Sequence, residues 1–216
     1  MFADRIDAGR SLAAQLGTMG PWLDAVVLGI PRGGMVVAAQ VARVLGLRLD
    51  VVVAAKVCSP GSPEFAIGAV AADGEVLVNA DSGFSAEEVR AFAGPAHAKA
   101  TRSLAVFRAG SAPLELTRGA AIVVDDGLAT GFTALAAVEY IRRCGATLVF
   151  LAVPVAAQGA AALIEPHVDQ LVALEIPVQF ASVGQFYARF GQTEDAEVVA
   201  LLAEAANRPA GGATSL

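Results

Sequence analysis

The feature that most constrains this sequence is a set of short, predominantly apolar runs separated by segments of helical periodicity. Residues 25–30, 49–55, 120–125, 147–153 and 169–174 read as strands, and along them apolar and polar residues do not alternate. A strand of that kind is buried on both faces, which a parallel sheet covered by helices achieves. Helical patterns fall between the runs. One opens at Gly33-Gly34 and passes through Val37, Val41, Val44 and Leu45 to Gly46, and others span 131–144, 158–164 and 193–206. The alternation predicts an α/β fold with a doubly wound, mostly parallel sheet flanked by helices.

Two segments depart from that rhythm. Residues 66–71 and 75–79 flank Ala72-Asp73-Gly74, an Asp-Gly turn that predicts a hairpin outside the main sheet. Before it, Ser59-Pro60-Gly61-Ser62-Pro63 reads as an irregular, exposed loop. Ser85 with Glu88 forms a capping box, and a helix is expected from there toward Phe107 with an interruption at Gly94-Pro95. No repeat or long linker divides the chain, so one domain is expected over 1–206, followed by a disordered tail at 207–216.

Apolar residues make up 56% of the chain and charged residues 17%, so a membrane protein has to be weighed. Residues 144–164 carry no charge and could span a bilayer by count. Pro154 and Gln158-Gly159 interrupt them, however, and Leu148-Val149-Phe150-Leu151 are strand formers, so the stretch reads as strand, loop and helix. Met1-Phe2-Ala3-Asp4-Arg5 mixes acid and base with no apolar export core. Cys58 and Cys144 show no metal or disulfide spacing, and a cytoplasmic location is expected. With 15 Lys+Arg against 21 Asp+Glu the net charge is −6, which argues against a nucleic-acid partner.

Chemistry in such a fold belongs at the carboxyl ends of the strands. There the sequence reads Ile122-Val123-Val124-Asp125-Asp126-Gly127-Leu128-Ala129-Thr130-Gly131-Phe132-Thr133. The loop amides and the following helix N-terminus form an anion site, with the Thr130 and Thr133 hydroxyls as further donors. Asp125 and Asp126 do not suit phosphate; they suit vicinal hydroxyls or a divalent cation beside it. Together they describe a ligand with a diol at one end and a phosphate at the other, a ribose 5-phosphate. The plainer reading, a strand end and a turn, suffices for a lone Asp-Asp-Gly triplet, and the attached Ala-Thr-Gly-Phe-Thr segment weighs against it. A second loop, Gly29-Ile30-Pro31-Arg32-Gly33-Gly34, offers close backbone approach at Gly33 and Gly34 and a positive fork at Arg32. Lys56 closes the Val-rich run of 49–55, whose one charge is Asp50, and is expected at the same rim.

At these residues the chain resembles the type I phosphoribosyltransferases, whose motif is a strand, two acids and an (A/T)-T-G-x-T loop. The resemblance extends from the first strand to about Asp195 and looks closest to bacterial stand-alone phosphoribosyltransferase-domain proteins of unassigned acceptor. Residues 63–69 are similar to a signature of that branch. The resemblance implies a small C-terminal hood at about 175–192 and a flexible loop at about 56–66. It implies transfer of the phosphoribosyl group from 5-phosphoribosyl 1-pyrophosphate (PRPP) to a base-like acceptor. Asp125 and Asp126 would hold the ribose. Ala129, Thr130, Gly131, Phe132 and Thr133 would hold the 5-phosphate, and Gly33, Gly34, Arg32 and Lys56 the pyrophosphate. Mg²⁺ would bind mainly through PRPP, with Asp125 and Asp126 as candidate ligands, and a homodimer is admitted. One departure stands out: related sequences usually place a second basic residue before the lysine, where this chain has Ala55.

Phe180, Phe186, Tyr187 and Phe190 crowd the irregular segment before the last helix, as a hydrophobic plug or as a stacking surface for a planar acceptor. Phe180 and Tyr187 are the acceptor candidates, with Gln179 and Gln185 as ordinary polar neighbours. His97 and His167 lack metal-ligand spacing and are expected to be structural. The alternative function is a non-catalytic sensor of PRPP or a ribose phosphate. A phosphate-accepting receiver domain needs no Thr-Gly-x-Thr turn, and a dinucleotide-binding dehydrogenase needs a Gly-x-Gly-x-x-Gly turn that follows no strand here.

Overall fold

The computed structural model describes residues 1–109, 116 and 119–208. The chain opens with α1 (Arg5–Gly17), then β1 (Val26–Gly29), α2 (Gly33–Leu45), β2 (Arg48–Val51), β3 (Ala54–Ser59), β4 (Ser62–Ala71) and β5 (Val76–Val78). After a 3-10 turn come α3 (Ala86–Phe92), α4 (Gly94–Phe107), β6 (Ala120–Val124), α5 (Phe132–Arg143), β7 (Leu148–Val155), α6 (Gln158–Ile164), β8 (Gln170–Glu175) and α7 (Asp195–Ala206). The main sheet is parallel throughout, in the order β2-β1-β6-β7-β8, which is the doubly wound α/β architecture expected. β3-β4-β5 form a separate antiparallel sheet containing the expected hairpin.

Both faces of the main sheet are buried. Val26, Leu28, Val123, Val149 and Leu151 pack with Leu135, Val138, Ile141 and Ile164 on one side. Val27, Ile122, Val124 and Ala152 pack with Leu12, Leu16, Met35, Val37 and Val41 on the other. This two-sided burial is why the strands carry no alternation. β1 lies between β2 and β6, so the chain winds to one side first and to the other later. A crevice opens beyond the carboxyl ends of strands at such a reversal.

The structure corrects two readings and adds one element, α1. Residues 49–55 are not one strand. Pairing to β1 stops after Val51, the Val52 N–H closes onto the Gly29 carbonyl at 3.0 Å, and the chain leaves for the smaller sheet at Ala54. The run of valines hides the break because Val52 and Val53 are buried in opposite cores. Nor is Ser59-Pro60-Gly61-Ser62-Pro63 irregular throughout, since β3 reaches Ser59 and β4 starts at Ser62, leaving a tight turn between them. Register slips between Val57 and Ser59, and β5 pairs only from Gly68 to Val70, so near the tip β4 has a partner on one side and a proline there breaks no second ladder. The added element, α1, is absent from the sequence reading. Its inner face, Ala8, Gly9, Leu12, Ala13 and Leu16, is mostly small, which weakens the periodic signal, although Asp4 caps it by accepting from the Ile6 and Asp7 amides.

The helix begun at the Ser85 capping box divides at Ala93 into α3 and α4, near the expected interruption. Residues 144–164 form the turn after α5, then β7 and α6, and no helix of the described residues is long and apolar enough to cross a membrane. Most of the tail expected to be disordered, 209–216, lies outside the described residues.

Candidate functional site

β1 and β6 end side by side, and each hands its chain to a loop that turns into a helix. The Ile30 N–H donates to the Val124 carbonyl at 2.8 Å as the last rung between them. Residues 125–131 are held down at Leu128, which is 2% exposed; its N–H donates to the Val155 carbonyl at 2.9 Å and its carbonyl accepts from the Ala157 N–H at 2.8 Å. Gly131 then takes φ +81°, a conformation that suits glycine, and starts α5 without a side-chain cap. α2 also starts without a side-chain cap, and neither helix has an acid in its first turn. Two helix N-termini with unanswered N–H groups and positive dipole ends thus border one crevice.

That crevice is a cavity of about 260 Å³ lined by Ile30, Pro31, Arg32, Gly33, Lys56, residues 125–131, Thr133, Ala134 and Val183. Arg32, Gly33, Lys56, Asp125, Asp126, Ala129, Thr130, Gly131 and Thr133 are therefore brought together, as the sequence motifs anticipate. Gly34 lies behind the wall against Asp125, and Phe132, the first residue of α5, is not in the lining. Lys56 has no ion-pair partner among the described residues, whereas the half-exposed Arg32 guanidinium leans toward Asp195 at 3.7 Å and Glu194 at 3.9 Å. A second cavity of about 580 Å³ shares Pro31, Arg32, Lys56 and Thr133, and Lys99 and Ser103 of α4 extend its polar wall. Cavities of about 380 and 690 Å³ lie at the opposite strand ends, with Asp24 and Arg48 as their only charged lining among the described residues.

The acidic pair is held by groups far away in sequence. Asp126 Oδ2 accepts from Arg5 Nε at 2.7 Å, with side chains only 12% and 16% exposed. Tyr187 is buried, and its hydroxyl donates to the Asp126 carbonyl at 2.6 Å. Burial first, and the charge of Asp126 second, push that hydroxyl far above its usual range, so it stays a donor. Tyr187 packs against Phe2 and Phe190, and Phe180 packs against Phe186; neither Phe180 nor Tyr187 lines the cavity, and Val183 is the hood residue that does. Gln185 closes the hood on itself, donating to the Gln179 carbonyl at 3.2 Å. His97 meets the Ala72 carbonyl at 3.2 Å and His167 meets Glu139 at 3.0 Å, both away from the cavity.

Arg5 is the site residue that sequence reading missed. The Asp4 cap signals a helix there, but nothing local connects its first residue with an acid 121 positions away.

Burial, and then the negative charge of Asp126, push the Asp125 carboxyl well above the usual carboxylate range; the Asp126 N–H, donated to its Oδ1 at 2.8 Å, opposes this. A carboxyl raised by folding costs nothing while it is protonated in both states, and it lowers stability as pH climbs from the ordinary carboxylate range through the raised value. Asp125→Asn removes that titration and keeps an oxygen for the Asp126 N–H. Without ligand, Asp125→Asn is expected to melt above the parent at pH 8, by roughly 2–4 °C per kcal/mol relieved, with the gap closing toward pH 4. Thermal melts across that range check it, and a gap that grows on acidification contradicts the assignment.

Residues 3–186 match the family model described as the phosphoribosyl transferase domain. Over 206 residues the chain is 41% identical to "Putative phosphoribosyl transferase Rv0571c" of Mycobacterium tuberculosis strain H37Rv, covering 94% of this chain and 46% of that protein. The counterpart in strain CDC 1551 / Oshkosh matches equally. The chain thus spans about half the length of the curated relatives it matches. Among solved structures, TT1426 from Thermus thermophilus superposes with a TM-score of 0.81 at 38% identity, covering 94% of this chain and 98% of that one.

Proposed function

The chain belongs to the phosphoribosyl transferase domain family, and we propose that it binds PRPP with Mg²⁺ and transfers the phosphoribosyl group to a nitrogenous, base-like acceptor, releasing pyrophosphate. The observation that carries this reading is the meeting of an acidic pair with two uncapped helix N-termini and two cations in one crevice. Residues 129–133 offer backbone amides and two hydroxyls to a 5-phosphate. Asp125 and Asp126 face the ribose hydroxyls and place negative charge near the carbon that becomes cationic as the leaving group departs. Gly33, Arg32 and Lys56 receive the pyrophosphate, for which the adjoining cavity has room. No protein nucleophile is required; positioning and charge supply the catalysis.

The donor set fits Mg²⁺ only in partnership with the substrate. Among the described residues there is no cluster of three or more His, Cys, Asp or Glu that could hold a metal, and one Asp126 oxygen is taken by Arg5. Asp125 and Asp126 would hold the ion together with donor phosphate oxygens, the mode Mg²⁺ prefers. The chemistry Mg²⁺ supplies when bound is neutralisation of charge on the leaving diphosphate.

PRPP with millimolar Mg²⁺, at about a hundred times its Kd, is expected to stabilise the protein by about 2.7 kcal/mol and to raise the melting temperature by roughly 5–11 °C. No shift in the parent overturns the reading. Ala55, which packs into apolar clusters where related chains carry a charge, favours the second reading, a ligand sensor without turnover. Pyrophosphate release across a panel of nitrogenous bases separates the two.

A further inference from the structure

Arg5 does not line the cavity, yet three contacts fix its guanidinium beside it. Nε donates to Asp126 Oδ2 at 2.7 Å, Nη1 donates to the Gly191 carbonyl at 2.7 Å, and the guanidinium carbon stands 3.9 Å over the Phe190 ring. The segment that carries Arg5 is stapled to the hood. The Phe2 N–H donates to the Phe186 carbonyl at 2.8 Å, the Ala188 N–H to the Phe2 carbonyl at 2.8 Å, and the Arg189 N–H to the Ala3 carbonyl at 3.0 Å. Arg5 is therefore not a loose surface cation of negligible worth. A planar guanidinium serves an acid, a carbonyl and a ring face at once, which an ammonium cannot.

The terminal torsion of an aspartate is soft, so a carboxylate in an open crevice adopts a range of orientations unless a second group holds it. Gly33 makes the hold possible, because a Cβ there would collide with Asp126 Oδ2 and lie 2.7 Å from Arg5 Nε.

We propose that Arg5 is a positioning residue for the ribose site: by holding one oxygen of Asp126 it keeps the other turned toward the sugar hydroxyls, and it ties that orientation to hood residues 186–191. The proposal rests on the donor reading above. It implies that Arg5 governs recognition of the diol and leaves recognition of the phosphate to the loops.

The test compares ribose 5-phosphate, 2-deoxyribose 5-phosphate and inorganic phosphate by titration calorimetry. In the parent, loss of one charge-assisted hydroxyl contact is expected to give about a tenfold or greater preference for ribose 5-phosphate over the deoxy sugar. In Arg5→Met the preference falls to within about threefold while affinity for inorganic phosphate stays within about threefold of the parent, and Arg5→Lys recovers part of the preference. A purely structural role would weaken all three ligands together. Phe190→Leu, which removes the ring under the guanidinium at a position 40% exposed, is the second variant and is expected to lower the preference without loss of the fold. An undiminished preference in folded Arg5→Met, or in Phe190→Leu should Arg5→Met not fold, overturns the proposal. No preference in the parent overturns the donor reading and the proposal with it.

Discussion

Asn at both 125 and 126 is expected to cut the rise in melting temperature that ribose 5-phosphate produces down to that produced by inorganic phosphate, which still binds. Asn matches Asp in shape, so the loops proposed to carry the phosphate keep their course. What is lost is charge-assisted acceptance from the sugar hydroxyls, about 1.5–3 kcal/mol for each contact to a charged group. Two such contacts amount to a hundredfold or more in affinity. The readout must be the shift caused by ligand, because the variant's own melting temperature moves for two opposed reasons. Removing Asp125 relieves a carboxyl that burial and Asp126 push upward. Removing the Asp126 charge leaves Arg5, 12% exposed, without its salt bridge, a cost that grows with burial. Calorimetric titration settles it. A double variant that binds ribose 5-phosphate as tightly as the parent would remove the acids from the site.

Gly34→Ala is expected to destabilise the protein by about 1–3 kcal/mol, lowering the melting temperature by roughly 2–12 °C. Helix propensity alone argues for the opposite, since Ala in place of Gly gains up to about 1 kcal/mol within a helix. The geometry decides. A Cβ on Gly34 would stand 2.8 Å from Asp125 Cα and Oδ1 and 2.9 Å from the Val124 carbonyl oxygen. Two of those atoms are backbone of the strand end that presents the acids, so the clash cannot be relieved by turning a side chain. Gly33→Ala differs, because its added carbon meets the side-chain ends of Asp126 and Arg5. The expected contrast is a loss of stability at 34 and a loss of sugar binding at 33. Thermal melts with and without ribose 5-phosphate measure both, and an unchanged melting temperature in Gly34→Ala would show that α2 and β6 are not locked at this point.

The legible parts of the site share one property: their neighbours in space are neighbours in sequence. Asp125 to Thr133 is a single strand-loop-helix turn, so the acids, the glycine and the hydroxyls converge wherever that turn is placed. The hood shows the limit of such reading. Its aromatic crowding is plain in the sequence, yet whether a ring packs inward or faces a ligand depends on what lies opposite. For Tyr187 that is Phe2 and the Asp126 carbonyl, from the start of the chain and its middle. The 49–55 run misleads for a related reason, since buried valines look alike whether they continue one sheet or cross to another.

By itself the sequence determined the sheet type and the acid-, Gly- and Thr-bearing loop after β6, because lack of alternation reports burial on both faces and a strand end followed by Gly and Thr reports a turn, and both are local. Tertiary structure alone decided which strand neighbours which, that Lys56 reaches the crevice from a second sheet, and that Arg5 holds Asp126. Those outcomes depend on how α1, the hood and two sheets pack against one another, and contacts made across more than a hundred residues leave no periodic trace along the chain.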